Sequence, residues 1–384
     1  MSKQDQINLL KRLLHYVETR TTALADAPWR NEVVAYTDPA RLDQEQRILF
    51  RKRPIVMGFA SEWSTPGRFQ TDDYTGSPIV VVRGRDAKLR AFLNVCRHRG
   101  AKVARGSGDA RVFSCPYHAW TYDLAGNVMG IPDERCFPGV RGERASLVQL
   151  PLCEKHGLVW VIPTADGTTE FDIDPWLGGI ADELASFGLS SWSFYDRRVI
   201  PETMNWKILV DTFQEGYHIG FLHRDSLGDI LHGNVCDFEA FGLNHRLTFP
   251  RKKLERLKDE SEDNWDLMWN TTLVYLLFPN TALVVQGDHV ELVRIFPCEG
   301  RIDRAVMDLG LYVPKAPTTS DERVHWDKNM QLVLDVVTGE DFPAGRSIQI
   351  GLTSGAQTHT VYGRNEPGMI HYHQSMRKAL GLAP

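Results

Sequence analysis

Two short loops constrain this chain more than any other feature. Across residues 94–120, "NVCRHRGAKVARGSGDARVFSCPYHAW", Cys96 and His98 flank one residue, Cys115 and His118 flank two, and sixteen residues separate the pairs. Each loop therefore joins one thiol to one imidazole. Zinc modules usually pair Cys with Cys and His with His in their tight loops, and a catalytic zinc keeps one position open, which four ligands do not. Structural zinc remains one reading. The other is a two-iron, two-sulfide cluster in which one iron takes both thiolates and its neighbour both imidazoles. That explains the interleaving, because two loops gripping from the same side offer each first residue to the inner iron and each last residue to the outer one. Replacing two thiolates by neutral imidazoles removes negative charge and raises the reduction potential. Gly100, Gly106, Gly108 and Pro116 suit the tight turns such loops need.

A chain of 384 residues exceeds what one ordinary core organises. Residues 1 to about 50 carry helical periodicity, as in "QINLLKRLLHYV". From residue 52 to 163 the texture becomes short β-rich runs between Gly, Asp and Ser turns, which predicts a small all-β domain. Beyond the loop "PTADGTTEFDIDPW" helix and strand mix. "MNWKILVDTFQEGYHIGFLH" reads as helix, "TTLVYLLFPNTALVVQGDHVELVRIFP" as paired strands, and "DERVHWDKNMQLVLDVVTGED" as a long amphipathic helix. A net charge of -5 gives no basic field, so nucleic acid is not an expected partner. The apolar runs are too short to span a bilayer, the first residues lack a signal-peptide centre, and six cysteines make no disulfide framework. A cytoplasmic protein without a membrane partner is expected.

An electron-relay domain would end near residue 163, yet more than half of the chain follows it. In "NWKILVDTFQEGYHIGFLHRDS", His218 and His223 are both metal-ligand types. Two imidazoles and a carboxylate on one face leave positions free for oxygen and substrate, which suits non-haem Fe(II). Residues five apart on a helix point about 140° apart, so the helix must end or distort between the two histidines, and Gly220 is placed to allow it. Glu215 precedes His218 by three residues and shares its face.

The combination resembles the alpha subunits of Rieske non-haem iron oxygenases, the ring-hydroxylating and demethylating enzymes. The resemblance covers most of the chain: "PGRF", both cluster loops, "GLVWV", "NWK", "EGYHIGFLH" and "GEDFPAGRSIQIGLTSG". In the second loop, Ala119 stands where that family commonly has Gly. The resemblance implies an α+β chain in three parts. Residues 1–51 form a helical segment packed on the catalytic domain, 52–163 the all-β Rieske domain, and 164–384 a helix-grip catalytic domain with an antiparallel sheet. It implies that Cys96, His98, Cys115 and His118 hold a [2Fe-2S] cluster. A mononuclear Fe(II) would sit between His218, His223 and Asp341, with Glu340 the less favoured neighbour. Many members carry Asp where this chain has Glu215. That carboxylate would orient His218 and accept a hydrogen bond from His118 of a neighbouring subunit.

Further implications are O2 as co-substrate, electrons from NAD(P)H through a reductase or ferredoxin, and a homotrimer with or without a small beta subunit. Asp211, Val274, Leu276 and Phe278 are candidate substrate contacts, with Val285 and Val293 as further lining. Trp265, Trp269 and Tyr275 raise the idea of an aromatic cage for a trimethylammonium group. No cluster of charged pocket residues is visible, which favours a hydrophobic, aromatic substrate for mono- or dihydroxylation. N- or O-demethylation, including that of quaternary amines, is the alternative. An electron carrier without mononuclear iron and a zinc-stabilised binding protein are readings of other classes. His289, His371 and His373 have no assigned partners.

Overall fold

The structure, a computed structural model, describes residues 1–142 and 145–383. They fall into two compact units, Gln46–Ile173 and a larger one that joins Met1–Glu45 to the chain from Asp174 onward. The smaller unit is wider than the stretch read from sequence, since it takes in the turn Gln46–Phe50 and the loop beyond residue 163.

In the smaller unit, five antiparallel strands lie in the order Gln149–Leu150, Leu89–Leu93, Ile79–Arg83, Arg68–Asp72 and Ser107–Asp109. Strand Ile79–Arg83 explains its own unbroken apolar run. Alternate side chains leave a strand on opposite faces, and here both faces are covered. Val80 and Val82 enter a core with Phe92, Cys96, Cys115 and Trp120, while Ile79 and Val81 enter another with Met57, Trp63, Val159 and Val161. A three-stranded ribbon, Phe113–Ser114, Thr121–Tyr122 and Val128–Gly130, carries the second Cys/His loop between its first two strands.

The larger unit is built on seven antiparallel strands in the order Ser193–Glu202, Arg301–Val313, Val290–Cys298, Thr281–Val285, Thr271–Leu277, Asn244–Pro250 and Asp237–Phe241. Helix Lys3–Thr19 opens with a capping box between Ser2 and Asp5 and buries Leu9, Leu10, Leu13 and Leu14. The helical pattern expected to residue 50 is interrupted by strand Trp29–Glu32, which pairs with His359–Tyr362. Its partner lies so far along the chain that local periodicity cannot announce it. Glu45, fully buried, accepts from Lys207 Nζ at 2.7 Å and from Trp206 Nε1 at 2.8 Å. A buried ion pair of this kind is costly to break once formed, so it fastens the start of the chain to the segment that carries His218.

That segment departs from its expected helix. Regular helix covers only Trp206–Asp211, capped by the Asn205 side chain accepting from Lys207 N–H at 3.0 Å. It has ended well before His218 rather than between the histidines; only a short 3-10 turn, His218–Gly220, remains. The chain beyond the helix packs closely and needs glycine. A Cβ on Gly216 would lie 2.6 Å from Phe249 Cε1, and one on Gly233 would lie 2.8 Å from Gly220 Cα. Among the described residues no helix is long and apolar enough to cross a membrane.

Candidate functional site

The two Cys/His loops fold alike. Cys96 N–H donates to Ala101 C=O at 2.8 Å and Gly100 N–H to Cys96 C=O at 2.9 Å; Cys115 N–H donates to Trp120 C=O at 2.8 Å and Ala119 N–H to Cys115 C=O at 2.9 Å. The fourth residue after each cysteine is left-handed, Gly100 at φ +81° and Ala119 at φ +57°. That geometry is why glycine suits the position occupied by Ala119. Cys96 and Cys115 form no disulfide and are only 2% and 4% exposed, with Cys96 Sγ 3.3 Å from Tyr122 Oη, while the imidazoles of His98 and His118 are half-buried with ring centroids 4.7 Å apart. His98 stacks on Trp120, and its Nδ1 is buried without a hydrogen-bond partner among the described residues. Burial, then the charges of His118 and Arg99, lower the His98 pKa and favour the neutral, ligating form. Two buried thiols beside two half-buried imidazoles, one nitrogen of which has no protein partner, fit a [2Fe-2S] group.

In the larger unit, His218, His223 and Asp341 offer ligand atoms within 4.8 Å of one another. Asp341 Oδ1 lies 3.2 Å from His223 Nε2 and 3.8 Å from His218 Nε2. Each imidazole is fixed from behind: His218 Nδ1 by Glu215 Oε1, and His223 Nδ1 by Glu340 Oε2 at 2.7 Å. Glu215 Oε2 also accepts the backbone N–H groups of Tyr217 and His218. Glu340 therefore stands behind His223 while Asp341 faces both Nε2 atoms, a distinction that spacing alone does not make.

Two neighbouring acids serve one site because Val337–Asp341 is a widened π-helical turn between helices Ser320–Val336 and Phe342–Thr353. Pro343 accounts for it, since it has no N–H to donate back to Gly339. Burial opposes a charge on His223, but Asp341 and Glu340 outweigh it and raise its pKa. A pocket that draws in a proton this way suits a cation.

A cavity of about 310 Å³ adjoins these residues. One wall is a face of the long helix, with Asn329, Leu332, Val333 and Val336, continued by Val337 and Asp341 of the widened turn. The opposite wall is the inner face of the sheet, where Phe249, Thr272, Val274, Val284, Gln286 and Glu291 line it. Of the candidate substrate contacts, Val274 lines the cavity, whereas Leu276 and Phe278 are not among the lining residues. Val285 has the wrong parity, since its neighbours Val284 and Gln286 face the cavity. Asp211 belongs elsewhere, accepting from Tyr36 Oη at 2.6 Å and pairing with His373 Nε2 at 2.9 Å. The three-residue aromatic cage does not form. Trp269 lines the cavity, whereas Tyr275 bonds Glu183 at 2.9 Å and Trp265 bonds Leu257 C=O at 3.0 Å.

Charged groups do gather in the cavity, contrary to the sequence expectation: Arg251, Asp288, His289 and Glu291 all line it. His289 sits between Asp288 Oδ1 at 2.8 Å and Glu291 Oε1 at 3.1 Å. Burial opposes its charge, but these carboxylates push its pKa up to about 9 from 6.5. The pairing accordingly stabilises the fold fully below about pH 6.5, by about 3 kcal/mol, and loses that contribution as pH rises through 9. Denaturation midpoints at pH 7 and pH 10 are expected to diverge in the parent protein, while His289→Gln removes most of the difference. Equal pH slopes in the two proteins would refute the assignment.

Residues 54–150 match the Rieske [2Fe-2S] domain family, and residues 189–382 match the family described as ring hydroxylating alpha subunit (catalytic domain). The chain belongs to the ring-hydroxylating oxygenase alpha subunits. This alpha subunit is 34% identical over 342 residues to the carnitine monooxygenase oxygenase subunit of Acinetobacter baumannii, covering 86% of each chain. It is also 34% identical over 200 residues to the biphenyl 2,3-dioxygenase subunit alpha of Rhodococcus jostii, covering 48% of this chain and 41% of that one. A crystal structure of a quaternary ammonium Rieske monooxygenase with L-carnitine superposes with a TM-score of 0.77 at 24% identity, over 92% of this chain and 96% of that one, a likeness of fold. The alpha subunit is an oxidoreductase and the terminal component of an oxygenase system. Its cofactors are a Rieske [2Fe-2S] cluster and a mononuclear iron; it uses O2, draws electrons from NAD(P)H through reductase or ferredoxin partners, and works as a multimer.

Proposed function

We propose that the alpha subunit monooxygenates a small molecule that has an apolar body and a polar end. The observation that carries this is the cavity beside His218, His223 and Asp341, apolar along Val274, Val284, Leu332 and Val336 yet polar at Thr272, Gln286, Asp288 and His289. An aromatic hydrocarbon would displace water from those polar groups and offer them no further hydrogen bond in return, at a cost. The relative that is 34% identical over 86% of the chain carries a monooxygenase name, which supports the same direction.

In this proposal Cys96, His98, Cys115 and His118 hold the cluster, and His218, His223 and Asp341 hold the iron, with Glu215 and Glu340 orienting the imidazoles. The bound iron supplies O2 reduction and transfer of one oxygen atom to carbon. The cavity walls hold the substrate carbon beside it and exclude bulk water. A cyclic homotrimer, in the cytoplasm, brings a neighbour's His118 to Glu215, a closed heterologous arrangement.

The test is oxygen uptake by purified protein with NAD(P)H and a reductase, over a panel of methylated polar-ended amines and aromatic hydrocarbons. Uptake is expected with the former, yielding formaldehyde or a single alcohol. A cis-diol formed from an aromatic hydrocarbon, with no response to the amines, would sink the proposal.

A further inference from the structure

The cavity runs beside helix Ser320–Val336 and the widened turn that follows it, where its lining residues extend from Asn329 to Asp341. The carboxylate Asp341 marks its metal end. Its other end is polar: Asn329 contacts His325, and His325 Nε2 bonds Asp288 Oδ2 at 2.8 Å. Each charged group at that end has an ionic partner except one. Asp288 and Glu291 share His289, as described above. Arg251 is the only Lys or Arg side chain lining the cavity among the described residues, and there it makes no ion pair within 4.0 Å. One terminal nitrogen bonds the neutral oxygen of Gln286, which also accepts from Thr272 Oγ1 at 2.9 Å, and its Nε is buried without a partner. A half-buried guanidinium with spare donors wants an anion, and its planar fork fits a carboxylate with two parallel hydrogen bonds.

We infer that Arg251 anchors a carboxylate of the substrate at the end of the cavity remote from the iron ligands. The substrate class is thus an elongated carboxylic acid, whose oxidised carbon lies at the opposite end from its carboxylate. Gln286 and Thr272 hold the guanidinium in position, and the His289 pairing withdraws the two nearby acids from competition for it. This rests on the proposed function only in taking the cavity as the substrate site.

Binding measured anaerobically by calorimetry on the iron-loaded protein needs no turnover, so it fails independently of the oxygenase assay. The probes are two matched pairs: 4-(trimethylammonio)butyrate with its amide, and 4-phenylbutyrate with its amide. In the parent, at least one acid is expected to bind at least 10-fold more tightly than its amide. R251Q should bring that ratio to within about 2-fold while iron content and cluster absorbance stay unchanged. R251K, which keeps the charge and the stem but not the fork, should retain a ratio of a few-fold, and it serves if R251Q does not fold. No acid preference in either pair, including no measurable binding, overturns the inference. A parental preference that survives unchanged in R251Q or R251K overturns it equally.

Discussion

Asp341→Ala is expected to empty the mononuclear site while leaving the cluster spectrum intact. Its carboxylate is the group that faces both ring nitrogens, 3.2 Å from His223 Nε2 and 3.8 Å from His218 Nε2. Without it two imidazoles remain, too few to close a two-His, one-carboxylate site. Iron affinity should fall by more than about 100-fold, beyond the 10–100-fold typical of losing an outer hydrogen-bond partner. Glu340→Gln supplies the contrast, because its Oε2 meets His223 on the far nitrogen at 2.7 Å and also accepts from Ser226 Oγ at 2.9 Å. Its loss should fall within the 10–100-fold range. Iron per chain after mild chelation, read beside the visible absorption of the cluster, separates the two. The opposite ranking would exchange the roles of these neighbouring acids.

Loaded with saturating iron, the Glu215→Gln protein is expected to hold both metal centres and still turn over about 100-fold more slowly, the upper end for an outer-sphere carboxylate. One oxygen of Glu215 takes His218 Nδ1–H and the other takes two backbone N–H groups. A glutamine has one acceptor oxygen, so the amide must abandon either the loop or the ring. If the oxygen stays with the backbone, an NH2 group faces the imidazole N–H. His218 then loses its orientation and, in the proposed trimer, the link to a neighbour's His118. Stopped-flow oxidation of the pre-reduced cluster should slow in step with oxygen uptake. Full activity in this variant would remove the linking role.

Much of the site was legible because its chemistry is local. Each cluster loop is a few residues long, and the alternation of thiol and imidazole at Cys96, His98, Cys115 and His118 is visible without a fold. What stayed hidden depends on register or on distant partners. Val284 and not Val285 faces the cavity because of how Thr281–Val285 pairs with Thr271–Leu277, and one residue of uncertainty reverses every side chain. Asp288, His289 and Glu291 lie within four residues of one another, but Arg251 follows a different strand, and no window of sequence shows that all four face one cavity. Glu340 carried a usable signal in Pro343, whose missing N–H widens the turn and brings both acids to one site. Asp211 sits close in sequence to Glu215, yet its partners Tyr36 and His373 come from opposite ends of the chain.

The larger unit is interrupted in sequence by the smaller one, and this bears on how the protein is made. Helix Lys3–Thr19 leaves the ribosome with Leu9, Leu10 and Leu13 exposed, and Glu45 follows without Lys207. At ordinary translation speeds, on the order of ten seconds pass while the inserted unit is synthesised. During that interval the insert can complete its own core, whereas the nascent amino-terminal helix has no partner to cover its leucines. Vulnerability to proteases and demand for chaperones should therefore concentrate on helix Lys3–Thr19 until the later part of the larger unit is made.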